Sequence, residues 1–344
     1  MPRNTLVTAL LAVGAVPGFC ADWNQRLAAD YLDSRQKEWF AWPYAKAAGG
    51  ACVSCHTGVT YLLVRPALRR ALGESQPTSY EKGLLEGVQA QATEAKGALQ
   101  SVETVFSALL LALQNGDSKA LSAEAKLAFD RLWSSQVRDG EDRGAWKWPD
   151  FSQDHLEPWA APESPFYGAA LAALAVGTAP AEYRARAEIR EQVNALTEYL
   201  QREQAAQPLH NRLARLWASS KLPAALPPAM RQPIIDEVLR KQQPDGGWTI
   251  ESLGPWRPHP EAPPSKGSNS YATGYVAFIL QEAGVGRSHP GLVRALDWLK
   301  AHQDRQSGFW AADSLNKRYE PDSMEIHFMQ DAATAFSTLA LLGK

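Results

Sequence analysis

Apolar positions recur three and four residues apart along nearly the whole chain, with Ala and Leu prominent and few β-branched runs. That period predicts α-helix almost throughout. Pro and Gly clusters cut the pattern into about a dozen helices, read as outer and inner members of six pairs. The pairs are 24–38 with 57–72, 79–96 with 101–114, and 122–136 with 164–177 across a long loop. The chain continues with 186–203 and 208–219, then 230–242 and 269–284 across a second long loop, then 290–303 and 328–342. The inner members are the more apolar, as in 106–113, 167–176 and 275–280. A helix apolar nearly all round belongs inside a large core.

A repeat runs through the outer helices. Leu239, Gln242, Gly246 and Trp248 end one of them, and Leu299, Gln303, Gly308 and Trp310 end the next. Leu132, Gln136, Gly144 and Trp146 form a looser copy, and Leu32, Gln36 and Trp42 a copy lacking the Gly. Gln is suited to loose helix-end carbonyls, Gly to the turn, and Trp to stacking the turn on its neighbour. This pattern resembles the Q-x-x-x-G-x-W repeat of the squalene-cyclase and prenyltransferase α/α-toroid superfamily, best from about 230 onward. The resemblance implies an all-α (α/α)6 barrel with inner helices around a central cavity. The chemistry of that superfamily does not carry over residue by residue. No D-x-D-D run is present, the nearest approach being Asp139-Gly140-Glu141-Asp142, and no Cys lies in the later repeats to hold a prenyltransferase zinc.

The N-terminus reads as a secretory leader. Arg3 is a thin basic region, Leu6 to Val16 is apolar but too short to span a bilayer, and Pro17-Gly18 breaks it. Residues 1–21 are assigned to the leader and 22–344 to one toroid domain, exported to the periplasm or beyond, with no membrane-spanning segment after cleavage. Net charge is −2, so nothing points to nucleic acid.

Cys52-Val53-Ser54-Cys55-His56 reads C-x-x-C-H, the attachment sequence of c-type haem. Two thiols suit two porphyrin vinyl groups, and the adjacent imidazole suits the proximal side of the iron. An exported C-x-x-C is also compatible with a disulfide or an exchange dithiol, and less so with zinc, for which no second Cys pair exists. The expectation is one covalent haem c, held through Cys52 and Cys55 with His56 as proximal ligand. The motif opens the first inner helix, so it falls at the mouth where six inner-helix N-termini converge. Closing the ring would bring His327 and Met329 near it as distal candidates. His210 lies across the mouth, and His155 and His259 sit in loops. Acids at this rim are Glu103, Glu163, Glu325 and Asp331, the last suited to capping its own helix. Tyr271 and Tyr275 share one helix face four residues apart.

These features lead to the expectation of an exported haem oxidoreductase or electron-transfer protein, with a periplasmic electron donor or acceptor, or a small apolar substrate, as partner. An isoprenoid-modifying enzyme and a non-catalytic redox scaffold are the alternatives. A carbohydrate-processing barrel is a weaker one, because it needs paired carboxylates across the mouth.

Overall fold

The computed structural model describes residues 22–47, 50–94, 100–116, 118–148, 164–315 and 317–343. The described helices are α1 (Gln25–Ala41), α2 (Gly58–Ala71), α3 (Ser79–Glu94), α4 (Gln100–Gln114), α5 (Ala123–Ser135), α6 (Ser164–Thr178) and the one-turn α7 (Ala181–Arg184). They continue as α8 (Arg190–Glu203), α9 (Leu209–Ser219), α10 (Pro228–Arg240), α11 (Ser270–Glu282), α12 (Pro290–Ala301) and α13 (Phe328–Leu342). All twelve expected helices are present, and α7 is the addition. The strands among the described residues are a two-residue antiparallel hairpin, β1 (Lys46–Ala47) with β2 (Gly50–Ala51).

Local chemistry sets the helix starts. The side chains of Asn24, Ser122 and Asn269 accept hydrogen bonds from the first-turn amides of α1, α5 and α11. Pro290 opens α12 behind His289, whose ring accepts from the Gly291 amide.

The inner helices α2, α4, α6, α9, α11 and α13 each pack on the next, and α13 packs back on α2, closing an (α/α)6 toroid. The outer helices α1, α3, α5, α8, α10 and α12 flank them. Ala67, Leu113, Leu174, Trp217, Phe278 and Leu339, one from the far half of each inner helix, line a cavity of about 260 Å³ at one end of the ring. All six inner helices therefore run the same way, and their N-termini share the opposite end, the mouth. The side chains between are core: nearly every residue of α6 and α11 is buried.

The Gln-Gly-Trp repeat is a seam between consecutive outer helices. Gln242 Nε2 donates to the Gly246 carbonyl at 2.8 Å and to Gly291 of α12 at 2.7 Å. Gln303 Nε2 donates to Gly308 at 3.0 Å and to Asn24, the cap of α1, at 2.9 Å. Gln136 Nε2 donates to Gly144 and to Gln192 of α8. The role expected of Gln, pairing its own helix-end carbonyls, falls instead to Trp. Trp146, Trp248 and Trp310 donate their indole N–H to Leu132, Val238 and Leu299 at 2.8, 2.7 and 2.8 Å. Gly144, Gly246 and Gly308 have φ of 100°, 99° and 79°, and a Cβ there would strike the backbone of the next outer helix. The fourth copy departs from this. Gln36 donates to Thr57, and Trp39 rather than Trp42 donates to the Cys52 carbonyl.

Candidate functional site at the toroid mouth

The C-x-x-C-H segment leads into α2 and is pinned by its neighbours. The Cys52 amide donates to the Ala45 carbonyl at 2.8 Å, and the Trp39 indole donates to the Cys52 carbonyl at 2.7 Å. Ser54 Oγ accepts from the His56 and Thr57 amides, while Val53 is buried against the helix start. The hairpin β1–β2 ends just before Cys52, too short to form the strand of a redox βα unit.

Cys52 is half-buried and Cys55 is open to solvent, and both are free thiols. Cys55 is also hemmed in by protein, and that enclosure pushes its thiol up to about 12, with Cys52 adding to the shift. A side chain that is both reachable and crowded faces the inside of a mouth. Cys52 is raised too, by burial and then by Glu103, which opens α4. Glu103 is half-buried, and burial raises its carboxyl above the ordinary glutamate value. Tyr167, opening α6, is raised by burial and then by Cys55, which lies within electrostatic reach of it at the mouth. Thiols held protonated in this way are poor exchange nucleophiles.

The His56 ring stacks on Phe328 of α13, with centroids 5.0 Å apart and planes 6° from parallel. Burial lowers its pKa to about 4, so the imidazole is neutral at pH 7. Among the described residues neither ring nitrogen has a hydrogen-bond partner.

Across the mouth, His210 opens α9, fully buried. Its Nδ1–H donates to Asn211 Oδ1 at 3.1 Å and its Nε2 accepts from the Tyr271 hydroxyl at 2.9 Å. Tyr275 stacks on the same ring at 4.5 Å, and Tyr167 and Trp256 approach it at 5.4 and 5.7 Å. Both ring nitrogens are engaged, so His210 is a packing centre and not an open ligand. Tyr271 and Tyr275 do share one face, as their spacing predicts, and it is turned to this histidine.

Asp331 is not a cap. It is buried in the first turn of α13, where it accepts from Tyr31 Oη at 2.7 Å and Arg35 Nε at 2.9 Å, tying α13 to α1. The segment before α13 leaves His327 half-buried among Arg35, Asp331 and Glu38, with burial as the main cause of its lowered pKa. Met329 is buried one residue beyond Phe328. His259 serves its own turn, its Nδ1 accepting from the Glu261 amide. Glu325 is half-buried in a single 3-10 turn, while His155 and Glu163 lie outside the described residues. Arg35 and Tyr31 were invisible as site residues in the sequence, because their partner lies about 300 positions away. Tyr167 carried one signal: it is the only polar-tipped aromatic in the α6 sequence.

No family model and no curated protein sequence matches the chain. Among solved structures, an inactive variant of the α-1,6-mannanase GH76A of Salegentibacter sp. HEL1_6, with two adjacent aspartates changed to asparagine and α-1,6-mannotriose bound, is similar. The TM-score is 0.56 over 93% of this chain and 100% of that one, at 12% identity, a likeness of fold.

Several expectations are corrected. The (α/α)6 toroid stands, but the likeness found is to a glycoside hydrolase, not to the squalene-cyclase and prenyltransferase toroids. The reading as a haem oxidoreductase, electron carrier, redox scaffold or isoprenoid enzyme on that scaffold therefore falls. An electron donor or acceptor, or a small apolar molecule, falls as partner with it. The similar structure holds an oligosaccharide, and the mouth here carries a carboxyl, thiols, an imidazole and phenols where an apolar ligand would need hydrocarbon. Nor are three His, Cys, Asp or Glu side chains gathered for an ion among the described residues, so Cys52, Cys55 and His56 belong to no protein-built metal cage.

Proposed function

We propose that the mouth of this toroid binds an oligosaccharide, in an exported protein, with Glu103 as the acid nearest the ligand. The observation that carries this reading is the chemistry of the mouth. A half-buried carboxyl with a raised pKa shares it with Tyr167 and Trp256, aromatics with polar tips. Aromatic faces suit the C–H faces of sugar rings, and hydroxyl and carboxyl groups suit sugar hydroxyls. The likeness of fold to a toroid solved with mannotriose bound supports a glycan as the ligand. Export is supported by the leader sequence at residues 1–21 and agrees with the absence, among the described residues, of any helix long and apolar enough to cross a membrane.

Binding and hydrolysis separate here. A glycosidase needs two carboxyl groups, either about 5–5.5 Å or about 6.5–9.5 Å apart. No two aspartates are adjacent in this sequence, so the pair altered in the similar enzyme has no sequence equivalent. Asp331 is committed to Arg35 and Tyr31. Burial shifts the Glu103 carboxyl upward, the direction that suits a general acid, and its partner carboxylate would have to come from elsewhere on the rim.

The test is calorimetric titration with α-1,6-mannotriose and a panel of neutral oligosaccharides, alongside a reducing-end assay. Saturable binding is expected, weakened about tenfold, or ~1.4 kcal/mol, in Trp256→Ala. Any hydrolysis should drop by about two orders of magnitude or more in Glu103→Gln. A folded protein that binds none of the panel overturns the reading.

A further inference from the structure

We propose that Cys52 and Cys55 carry one covalently attached iron porphyrin, haem c, with His56 as its proximal ligand. The proposal concerns a modification of the mouth and stands independently of the oligosaccharide reading.

Three observations carry it. First, the segment is held in a fixed shape by groups other than the thiols. The Cys52 backbone is clamped on both sides by Ala45 and Trp39, and the amides of His56 and Thr57 are taken by Ser54. Nothing in that framework uses Sγ of Cys52 or Cys55, and both remain free and reachable by solvent on the mouth side. A structural cysteine pair would be closed as a disulfide or sealed in the core. Second, neither ring nitrogen of the half-buried His56 has a hydrogen-bond partner among the described residues, so the imidazole is open to a ligand from the mouth. Third, Phe328 stacks on the face of this ring. An imidazole binds iron through an in-plane lone pair, so a face-on neighbour fixes the ring plane and leaves that lone pair free.

The attachment balances without an oxidant or reductant. Each thiol adds across one vinyl C=C of the porphyrin: a C–S bond forms to the carbon next to the ring, the thiol hydrogen ends on the terminal carbon, and nothing leaves. The three-residue offset of the two thiols and the adjacent imidazole is the spacing this double addition requires. Glu103 and Tyr167, the charged and polar groups within electrostatic reach of Cys55, would border the group.

The test is expression of the full chain, with its leader, in a bacterium carrying a periplasmic cytochrome c maturation system. Intact mass and haem staining on a denaturing gel are then recorded. The expected result is a mass gain of one haem per chain, retained on the denaturing gel. Cys52→Ser and Cys55→Ser should each lose one thioether, seen in the alkaline pyridine spectrum as one unsaturated vinyl restored. The double variant should lose the covalent group while keeping its helical circular dichroism. His56→Gly should keep the thioethers but change the iron spectrum, with added imidazole restoring it. A mature wild-type chain at the mass of the bare polypeptide, or lighter by two hydrogens as a disulfide, overturns the proposal. Neither outcome depends on whether the mouth binds sugar.

Discussion

His210 shows how much one side chain is asked to do at the mouth. Its imidazole receives a tyrosine hydroxyl on one nitrogen, donates to an amide oxygen from the other, and is faced by Tyr275. Every one of those contacts suits the neutral ring. Burial is the main reason that its pKa falls to about 4. The sign of the pH effect follows. The unfolded chain takes up a proton near the ordinary histidine value of about 6.5, while the folded chain resists it. Stability contributed by His210 is therefore complete above about pH 6.5 and is lost as the pH falls toward 4, by ~3 kcal/mol over the whole window. The measurement is the urea midpoint at pH 7 and pH 4.5 for the wild type and for His210→Gln. His56 titrates in the same direction in both proteins, so only the difference between their slopes belongs to His210. Equal losses on acidification in the two proteins would refute the assignment.

At the scale of helices, pairing was legible because it is written locally, in a period of 3.6 and in caps such as Asn269 and Pro290. All six pairs lie within a few residues of where the sequence puts them. The Gln and Trp of the repeat were legible as helix-end devices, but their exact partners were not, because Gln242 reaches Gly291 of the next outer helix. The mouth was less legible still. Cys55, Glu103, Tyr167 and His210 open four different helices, and no local pattern states which meet. The haem motif was read from spacing alone, while the clamp on its backbone needed Trp39 and Ala45 in three dimensions. Arg215 is another tie of this kind. It is fully buried on α9, donating to the Ala225 carbonyl at 2.6 Å and to Gln204 and Gln201 of the α8 side at 2.7 and 3.0 Å. Its partners among the described residues are neutral oxygens arranged to match a planar fork. Desolvation without a carboxylate lowers its pKa to about 10, still charged at neutral pH. Lysine offers a point charge and cannot reach three diverging acceptors. Arg215→Lys should therefore cost nearly as much as Arg215→Met, about 3 kcal/mol or more in urea unfolding, with both retaining the inner-ring helices. Rescue of stability by Lys would mean that charge, not fork geometry, is what α8 and α9 require.

The whole molecule is a ring, and the ring has a seam. The last outer turn meets the first outer helix through Gln303, which donates to the Asn24 carbonyl and accepts from the Asn24 amide at 2.6 Å. Trp23 lies against Trp310 at 6.0 Å beside it, and Arg35 to Asp331 closes the layer within. An open stack of helix pairs would gain little from that seam, because its ends would fray and its units would unfold in stages. A closed ring has no ends, so the seam should be as costly to break as any internal joint. Gln242 provides the internal control, since its Nε2 makes the same two donor bonds between α10 and α12, while its oxygen accepts from Arg294. Gln303→Ala and Gln242→Ala each leave two carbonyls without their donor, and each should lower stability by about 2–3 kcal/mol. Both variants should still unfold in one transition, with tryptophan fluorescence and helical circular dichroism superimposed across the urea range. A Gln303→Ala variant as stable as the wild type, beside a weakened Gln242→Ala, would show the ring standing open in solution. The mouth would then lose its α13 wall, and with it the Phe328 face on which His56 rests.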